Sequence, residues 1–234
     1  MSETILVTGA SAGFGQAICR RLVADGYRVI GSARRIDKLH ALQEELGEAF
    51  YPLQMDVTDL SQVDHALASL PKAWERVDVL VNNAGLALGL APAYEAEIAD
   101  WLTMIQTNIV GLTYLTRKIL PQMVERNDGY IINLGSTAGT VPYPGANVYG
   151  ASKAFVKQFS LNLRADLAGK KIRVSNIEPG LCEGTEFSSI RFKGDEKRVE
   201  ALYRGAHAIQ PEDIANTVAW LIQQPKHVNV NRIE

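Results

Sequence analysis

Thr8-Gly9-Ala10-Ser11-Ala12-Gly13-Phe14-Gly15 is the stretch on which the reading of the fold turns. It follows an apolar run, Thr4–Thr8, and opens a stretch of helical period, Gln16–Asp25. Glycines at 9, 13 and 15 let the backbone turn tightly and approach a pyrophosphate. The helix that follows offers unpaired N–H groups and the positive end of its dipole. Three glycines alone make only a turn. With a strand before and a helix after, they read as a phosphate-binding strand–loop–helix unit, with Ser11 and Phe14 among its contacts.

Outward from this unit, short β-branched runs alternate with longer helical patterns. The predicted strands are Thr4–Thr8, Arg28–Ala33, Phe50–Met55, Val77–Asn82, Tyr130–Gly135, Arg173–Glu178 and Val228–Ile233. Between them lie helices predicted over Gln16–Asp25, Ile36–Leu46, Ser61–Leu70, Glu97–Asn127, Val148–Ala168 and Glu212–Gln223, the fourth breaking near Asn108 and Gly111. Several strands are apolar throughout, as expected of a parallel sheet covered on both faces. The alternation argues for an α/β fold of the Rossmann type, a doubly wound seven-stranded parallel sheet with right-handed crossovers. No linker divides the chain, so a single domain is expected over residues 1–234. The irregular, polar segment Leu181–Ala208 follows a strand, where ligands bind in such folds, and is a candidate substrate lid.

Composition sets the class of partner. The 234 residues are 47% hydrophobic and carry a net charge of −2. A nucleic acid or a membrane surface would call for a basic excess, so the expected partner is a small molecule. Cys19 and Cys182 lie far apart, and His40, His65, His207 and His227 are scattered. Neither a disulfide framework nor a metal site is expected, and reduced thiols suit a cytoplasmic enzyme. The first apolar run begins almost at Met1, so no signal peptide is expected. Trp74, Trp101 and Trp220 are expected to pack.

The end of the second predicted strand reads Gly31-Ser32-Ala33-Arg34-Arg35. NAD enzymes usually place an acid there to hold the ribose hydroxyls; here two arginines follow instead. A guanidinium pairs with a 2′-phosphate in a forked geometry. A charged hydrogen bond is worth roughly 1.5–3 kcal/mol, so Arg34 alone would favour NADP over NAD by about 10- to 100-fold. Arg34 is the first candidate and Arg35 the second.

Further along, Tyr149 and Lys153 sit four residues apart in a helical pattern and share a face. Ser136 comes just after an apolar run, at the carboxyl end of a predicted strand. Asn108 sits within a helical stretch that its low propensity does not favour, and Asn82-Asn83-Ala84-Gly85 closes the fourth strand. Together with Pro179-Gly180 and the glycine loop, these residues resemble, in order and approximate spacing over essentially the whole chain, the short-chain dehydrogenase/reductase family.

The resemblance implies a hydride transfer between NADP and a hydroxyl or carbonyl carbon. Ser136 would hold the substrate oxygen and Tyr149 exchange the proton. Lys153 would bind the nicotinamide ribose and lower the tyrosine pKa, and Asn108 would place a water that relays the proton. Asp56 and Val57 are expected beside the adenine and Asn82, Ala84 and Gly85 along the adenosine. Ile177, Pro179, Gly180 and Thr185 are expected near the nicotinamide. Tyrosine ionises near pH 10, and a cation within ~4–6 Å lowers it by about 1–3 units. The resemblance also implies a homo-oligomer, a tetramer before a dimer. Relatives usually run on for several residues past the position of Glu234. One departure is Ala12, where NADP-preferring relatives often carry a basic residue, so the NADP expectation rests on the two arginines.

Glu178-Pro179-Gly180-Leu181, Gly184-Thr185-Glu186-Phe187, Arg191-Phe192-Lys193-Gly194-Asp195 and Val81 to Gly89 are similar to NADP-dependent 3-hydroxy acid dehydrogenases within that family. Such enzymes act on serine, allo-threonine and related 3-hydroxy acids, or on malonic semialdehyde. A 3-hydroxy acid needs its carboxylate held; Arg191 and Lys193 are the candidates, equally readable as solvated surface charge. Tyr143 is a candidate for the substrate entrance. Two other functions remain open: a reductase of neutral ketones or aldehydes, and an NADP-binding regulator without catalysis.

Overall fold

The computed structural model describes residues 3–234. The strands are β1 (Thr4–Thr8), β2 (Arg28–Ala33), β3 (Phe50–Gln54), β4 (Val79–Asn82), β5 (Gly129–Leu134), β6 (Ile172–Ile177) and β7 (Arg232–Ile233). They form one parallel sheet in the order β3-β2-β1-β4-β5-β6-β7, the doubly wound arrangement read from the sequence. The order reverses between β1 and β4, which opens a crevice outside the carboxyl ends of the strands.

The helices are α1 (Gly13–Ala24), α2 (Ile36–Leu46), α3 (Leu60–Ala68), α4 (Ile98–Ile105), α5 (Leu112–Arg126), α6 (Asn147–Asp166), α7 (Phe187–Arg191), α8 (Glu196–Tyr203) and α9 (Pro211–Gln223). Side chains alternate across a strand, and both faces of this sheet are dry. Ile5 and Val7 of β1 pack with α1 and α9 through Ile18, Leu22, Val218 and Leu221. Leu6, between them, faces the other layer with Val63 of α3, Leu115 and Ile119 of α5 and Leu163 of α6. The apolar strands thus have a place only in a sheet covered on both sides.

Three elements differ from the sequence reading. The predicted break near Asn108 and Gly111 is a π-helical turn, Gln106–Gly111, through which α4 runs on into α5. Gly111 lets that turn press against Val57, whose carbonyl oxygen would lie 2.7 Å from an added Cβ. The last strand shrinks from Val228–Ile233 to two residues. The Asn229 side chain takes the place of a ladder rung: its Oδ1 accepts from the Val174 N–H at 2.8 Å and its Nδ2 donates to the Val174 carbonyl at 3.1 Å. The segment 181–208 is not irregular throughout, because it holds α7 and α8. It leaves and rejoins the body at one point, where Glu183 N–H donates to Ile209 O and Ile209 N–H to Leu181 O, each at 3.0 Å. Trp220 is half exposed rather than packed.

Candidate active site

A cavity of about 680 Å³ lies outside the carboxyl ends of β1 to β6. Gly9, Ser11, Gly13, Phe14, Arg34, Arg35, Asp56, Val57, Ala84, Gly85, Pro179, Gly180 and Thr185 all line it, as do Ser136, Tyr143, Tyr149, Lys153 and Arg191. The first part of the wall suits a phosphate. Gly9 has φ +69°, and a Cβ on it would sit 2.9 Å from Asn83 Nδ2; one on Gly13 would sit 3.1 Å from Thr185 Cγ2. The N-terminus of α1 has no side-chain cap and no acid in its first turn. Its N–H groups are therefore available to an anion.

Gly15 and Asn82 stand one layer behind the wall. A Cβ on Gly15 would fall 2.2 Å from the Gly9 carbonyl oxygen, so this glycine lets α1 seat closely against the loop. The buried Asn82 amide donates to Thr116 Oγ1 and Asn133 Oδ1, both at 2.9 Å, and clamps β4 to β5 and α5. Thr8 has a role that sequence reasoning did not assign. Its Oγ1 accepts from the N–H groups of Asn83 (3.0 Å) and Ala84 (2.9 Å), and Asn83 Nδ2 donates to the Thr8 carbonyl at 2.7 Å. The glycine loop and the end of β4 are held as one piece; the available signal was a hydroxyl at the first position of the motif.

The guanidinium of Arg35 donates to Ser11 Oγ at 3.1 and 3.2 Å and reaches Glu186 at 2.9 Å. Lys38 joins the same carboxylate at 3.1 Å. Arg34 is exposed beside them and, among the described residues, pairs with no acid.

Farther in, Tyr149 and Lys153 occupy one buried face of α6. Lys153 Nζ donates to the Leu134 carbonyl at 2.8 Å and lies 5.9 Å from the centre of the Tyr149 ring. Ser136 follows β5; its Oγ accepts from the Ala138 N–H at 3.1 Å, donates to the Pro179 carbonyl at 3.5 Å and lines the cavity together with Tyr149. Burial pushes Tyr149 up to about 12, against the pull of Ser136 and of the Arg191 charge. Burial pushes Lys153 down to about 8. Two cations flank the ring: the Arg191 guanidinium at 5.4 Å, which the sequence did not place there, and Lys153 at 5.9 Å.

Asn108 does not line the cavity. Its Oδ1 accepts from the Leu86 N–H and its Nδ2 donates to the Leu86 carbonyl, both at 2.9 Å, and to Ser152 Oγ at 3.0 Å. Ser152 Oγ in turn donates to the Tyr149 carbonyl at 2.7 Å. With its amide spent on protein partners, the Asn108 side chain ties the loop after β4 to α6. The π turn delivers it to that junction, which sequence pattern alone does not disclose.

The segment 181–208 covers the inner end. Arg191 donates to the Tyr143 hydroxyl at 2.9 Å, and its guanidinium stands 5.4 Å from the centre of the Tyr149 ring. Phe187 packs against the other part of that ring, centroids 5.8 Å apart. Lys193, the other candidate for a carboxylate, is not among the residues that line the cavity and pairs with Asp100 at 2.8 Å. Among the described residues, no group of three His, Cys, Asp or Glu could hold a metal ion, and no helix is long and apolar enough to cross a membrane.

Comparison with known proteins places this geometry. The family profile described as short chain dehydrogenase matches residues 3–196. A probable NADP-dependent dehydrogenase of Haemophilus influenzae is 62% identical over 100% of this chain and 92% of its own length. An NADP-dependent 3-hydroxy acid dehydrogenase of Salmonella typhi is 57% identical over 98% of this chain and 93% of its own. Among solved structures, a serine dehydrogenase in its closed form complexed with NADP⁺ superposes with a TM-score of 0.97 at 55% identity, covering 99% of this chain and 93% of that one.

Proposed function

The chain belongs to the short-chain dehydrogenase family, and from that premise we propose that it transfers a hydride between NADP(H) and the hydroxyl or carbonyl carbon of a small 3-hydroxy acid. Serine, allo-threonine and the 3-hydroxypropionate/malonic semialdehyde pair are the substrates in view. The observation that carries the substrate class is Arg191, a cation 5.4 Å from the ring of the candidate acid–base Tyr149. A 3-hydroxy acid needs its carboxylate held close to the carbon that exchanges hydride, and Arg191 lies there while Lys193 does not.

The residues divide the work. Gly9, Gly13 and the start of α1 take the pyrophosphate, and Arg34 and Arg35 the 2′-phosphate. Ser136 donates a hydrogen bond to the substrate oxygen and keeps it against the phenol. Tyr149 Oη takes the hydroxyl proton in oxidation and returns it in reduction, acting as general base and acid. Lys153 stays within 5.9 Å of that ring, anchored at the Leu134 carbonyl. NADP(H), when bound, supplies or accepts the hydride. Lys153 and Arg191 oppose the burial that holds the tyrosine at about 12, and a bound oxidised cofactor would add its positive charge to theirs. Asn108 positions α6 through Ser152, and Leu181–Ala208 acts as the lid of a single domain.

Exposed apolar side chains on two helices, among them Leu102, Ile105, Phe155 and Leu161, support a homo-oligomer, a tetramer before a dimer. The enzyme works in the cytoplasm. Nicotinamide absorbance, followed with NADP⁺ or NAD⁺ against serine, allo-threonine, 3-hydroxypropionate and a neutral secondary alcohol, tests the reading. Turnover of the 3-hydroxy acids with NADP⁺, abolished by Tyr149→Phe, is expected. Turnover of the neutral alcohol alone would overturn the substrate class. Tight NADP⁺ binding without any turnover would overturn the enzymatic function.

A further inference from the structure

Three cations and one carboxylate face one another at the outer rim of the cavity. Arg34 and Arg35 follow β2, Lys38 lies in the first turn of α2, and Glu186 comes from the segment 181–208 on the opposite side. Glu186 grips both ends of the Arg35 fork, with Nη2–Oε2 at 2.9 Å and Nη1–Oε1 at 3.2 Å, and takes Lys38 at 3.1 Å. The hydrogen bond from Arg35 comes first among the causes that hold the Glu186 carboxyl below the usual range, so it is ionised at neutral pH. Of its three remaining donors, Nε and a second Nη2 hydrogen rest on Ser11 Oγ in the glycine loop, which leaves a single Nη1 hydrogen. Arg35 is therefore not a free phosphate clamp. Its charge is already opposed by an acid from across the mouth.

We propose that Glu186 is a specificity-determining residue that lowers the affinity for the 2′-phosphate by competing with it for Arg35. The inference rests on the assignment of that phosphate to the arginines. A phosphate dianion entering beside Arg34 meets a net charge of two from three cations and Glu186; without the carboxylate it meets three. Either the carboxylate yields Arg35, and its ion pairs are lost, or it stays, and two anions share one cation set. Both routes cost the phosphate affinity, and neither touches a cofactor that lacks the phosphate. A moderated affinity suits an enzyme that must release its oxidised or reduced cofactor in every cycle.

Calorimetric titration of the full-length protein with NADP⁺, NAD⁺ and 2′-AMP tests this, without any turnover being read. Glu186→Gln is expected to tighten NADP⁺ and 2′-AMP by roughly three- to fivefold, on the scale of exposed ion pairs, and to leave NAD⁺ within about twofold. Glu186→Lys is expected to tighten them further. If Glu186→Gln leaves NADP⁺ unchanged, or weakens NADP⁺ and NAD⁺ together, Glu186 does not compete with the phosphate but fastens the segment over the cofactor, and the proposal falls. Arg35→Ala separates the two levels. If it fails to weaken NADP⁺ relative to NAD⁺, the assignment of the phosphate to Arg35 is what has failed.

Discussion

Replacing Arg191 by glutamine removes the charge beside Tyr149 and keeps a polar side chain at that position. A guanidinium has five N–H donors. Arg191 spends one on the Tyr143 hydroxyl at 2.9 Å and offers Nε to the Gly89 carbonyl at 3.4 Å. Three donors therefore remain, enough for a two-pronged grip on a substrate carboxylate. Such a charged contact is worth about 1.5–3 kcal/mol, or roughly 10- to 100-fold in kcat/KM for serine. A neutral secondary alcohol does not use the grip and feels only the change at Tyr149, so the ratio of the two kcat/KM values is expected to fall by the same roughly 10- to 100-fold. Lys193→Ala serves as the comparison, because Lys193 pairs with Asp100 outside the cavity and its loss is expected to leave both substrates nearly unchanged. The assay is initial-rate kinetics on both substrates for the three proteins. Equal losses on serine and on the neutral alcohol would mean that Arg191 only braces Tyr143 and the loop at Gly89. No loss on either would mean that another group holds the carboxylate. Either result refutes the reasoning.

Lys153→Met is expected to raise the stability of the cofactor-free protein by about 2 kcal/mol at neutral pH, read as a higher Tm, while abolishing turnover. The sign follows from burial, which takes Lys153 from 10.5 in the open to about 8. Between these values the unfolded chain binds more protons, so the burial penalty is complete below about 8 and fades as pH rises toward 10.5. In the oxidative direction kcat/KM is expected to rise with pH, because Tyr149, pushed up to about 12, must lose its proton. Arg191→Gln is expected to move that rise to still higher pH, and a pH–rate profile showing no displacement would count against the Arg191–Tyr149 contact. Gly9→Ala places a Cβ at φ +69° and 2.9 Å from Asn83 Nδ2. It is expected to lower stability by about 1–2 kcal/mol and to weaken NADP⁺ and NAD⁺ alike, as thermal unfolding and titration would read.

The sheet was legible because its causes are local. Thr4–Thr8 and Val29–Ala33 are apolar or small throughout, and such runs are stable only between two covering layers. The outer strand was not, because Asn229 replaces backbone pairing with a side-chain amide, and period-two patterning is blind to that exchange. Tyr149 and Lys153 could be placed together by helix spacing. The partners of the Tyr149 phenol could not, since Arg191 arrives from 42 residues downstream on a segment whose two helices are short and weakly patterned. Glu186 escaped for the same reason: its contact with Arg35 spans 151 positions. Asn108 was found by its unfavourable propensity for a helix, yet the use made of its amide depends on the π turn that aims it inward.

The pinch at the base of α7 and α8 has a consequence for how the molecule could change. Because Leu181 and Glu183 are stitched to Ile209, the chain departs and returns at one stitch. Whatever lies between can lengthen, shorten or be exchanged without moving β6 or α9, since lengthening a closed loop costs little entropy. The acid–base pair and the glycine loop belong to the body; Arg191, Phe187 and Glu186 belong to the excursion. On the assignments proposed above, the side chain that holds the substrate carboxylate and the one that tempers the cofactor's phosphate travel together on one detachable cassette, while the chemistry stays behind. A descendant grafted with a different cassette would inherit the reaction and acquire a new molecule to perform it on.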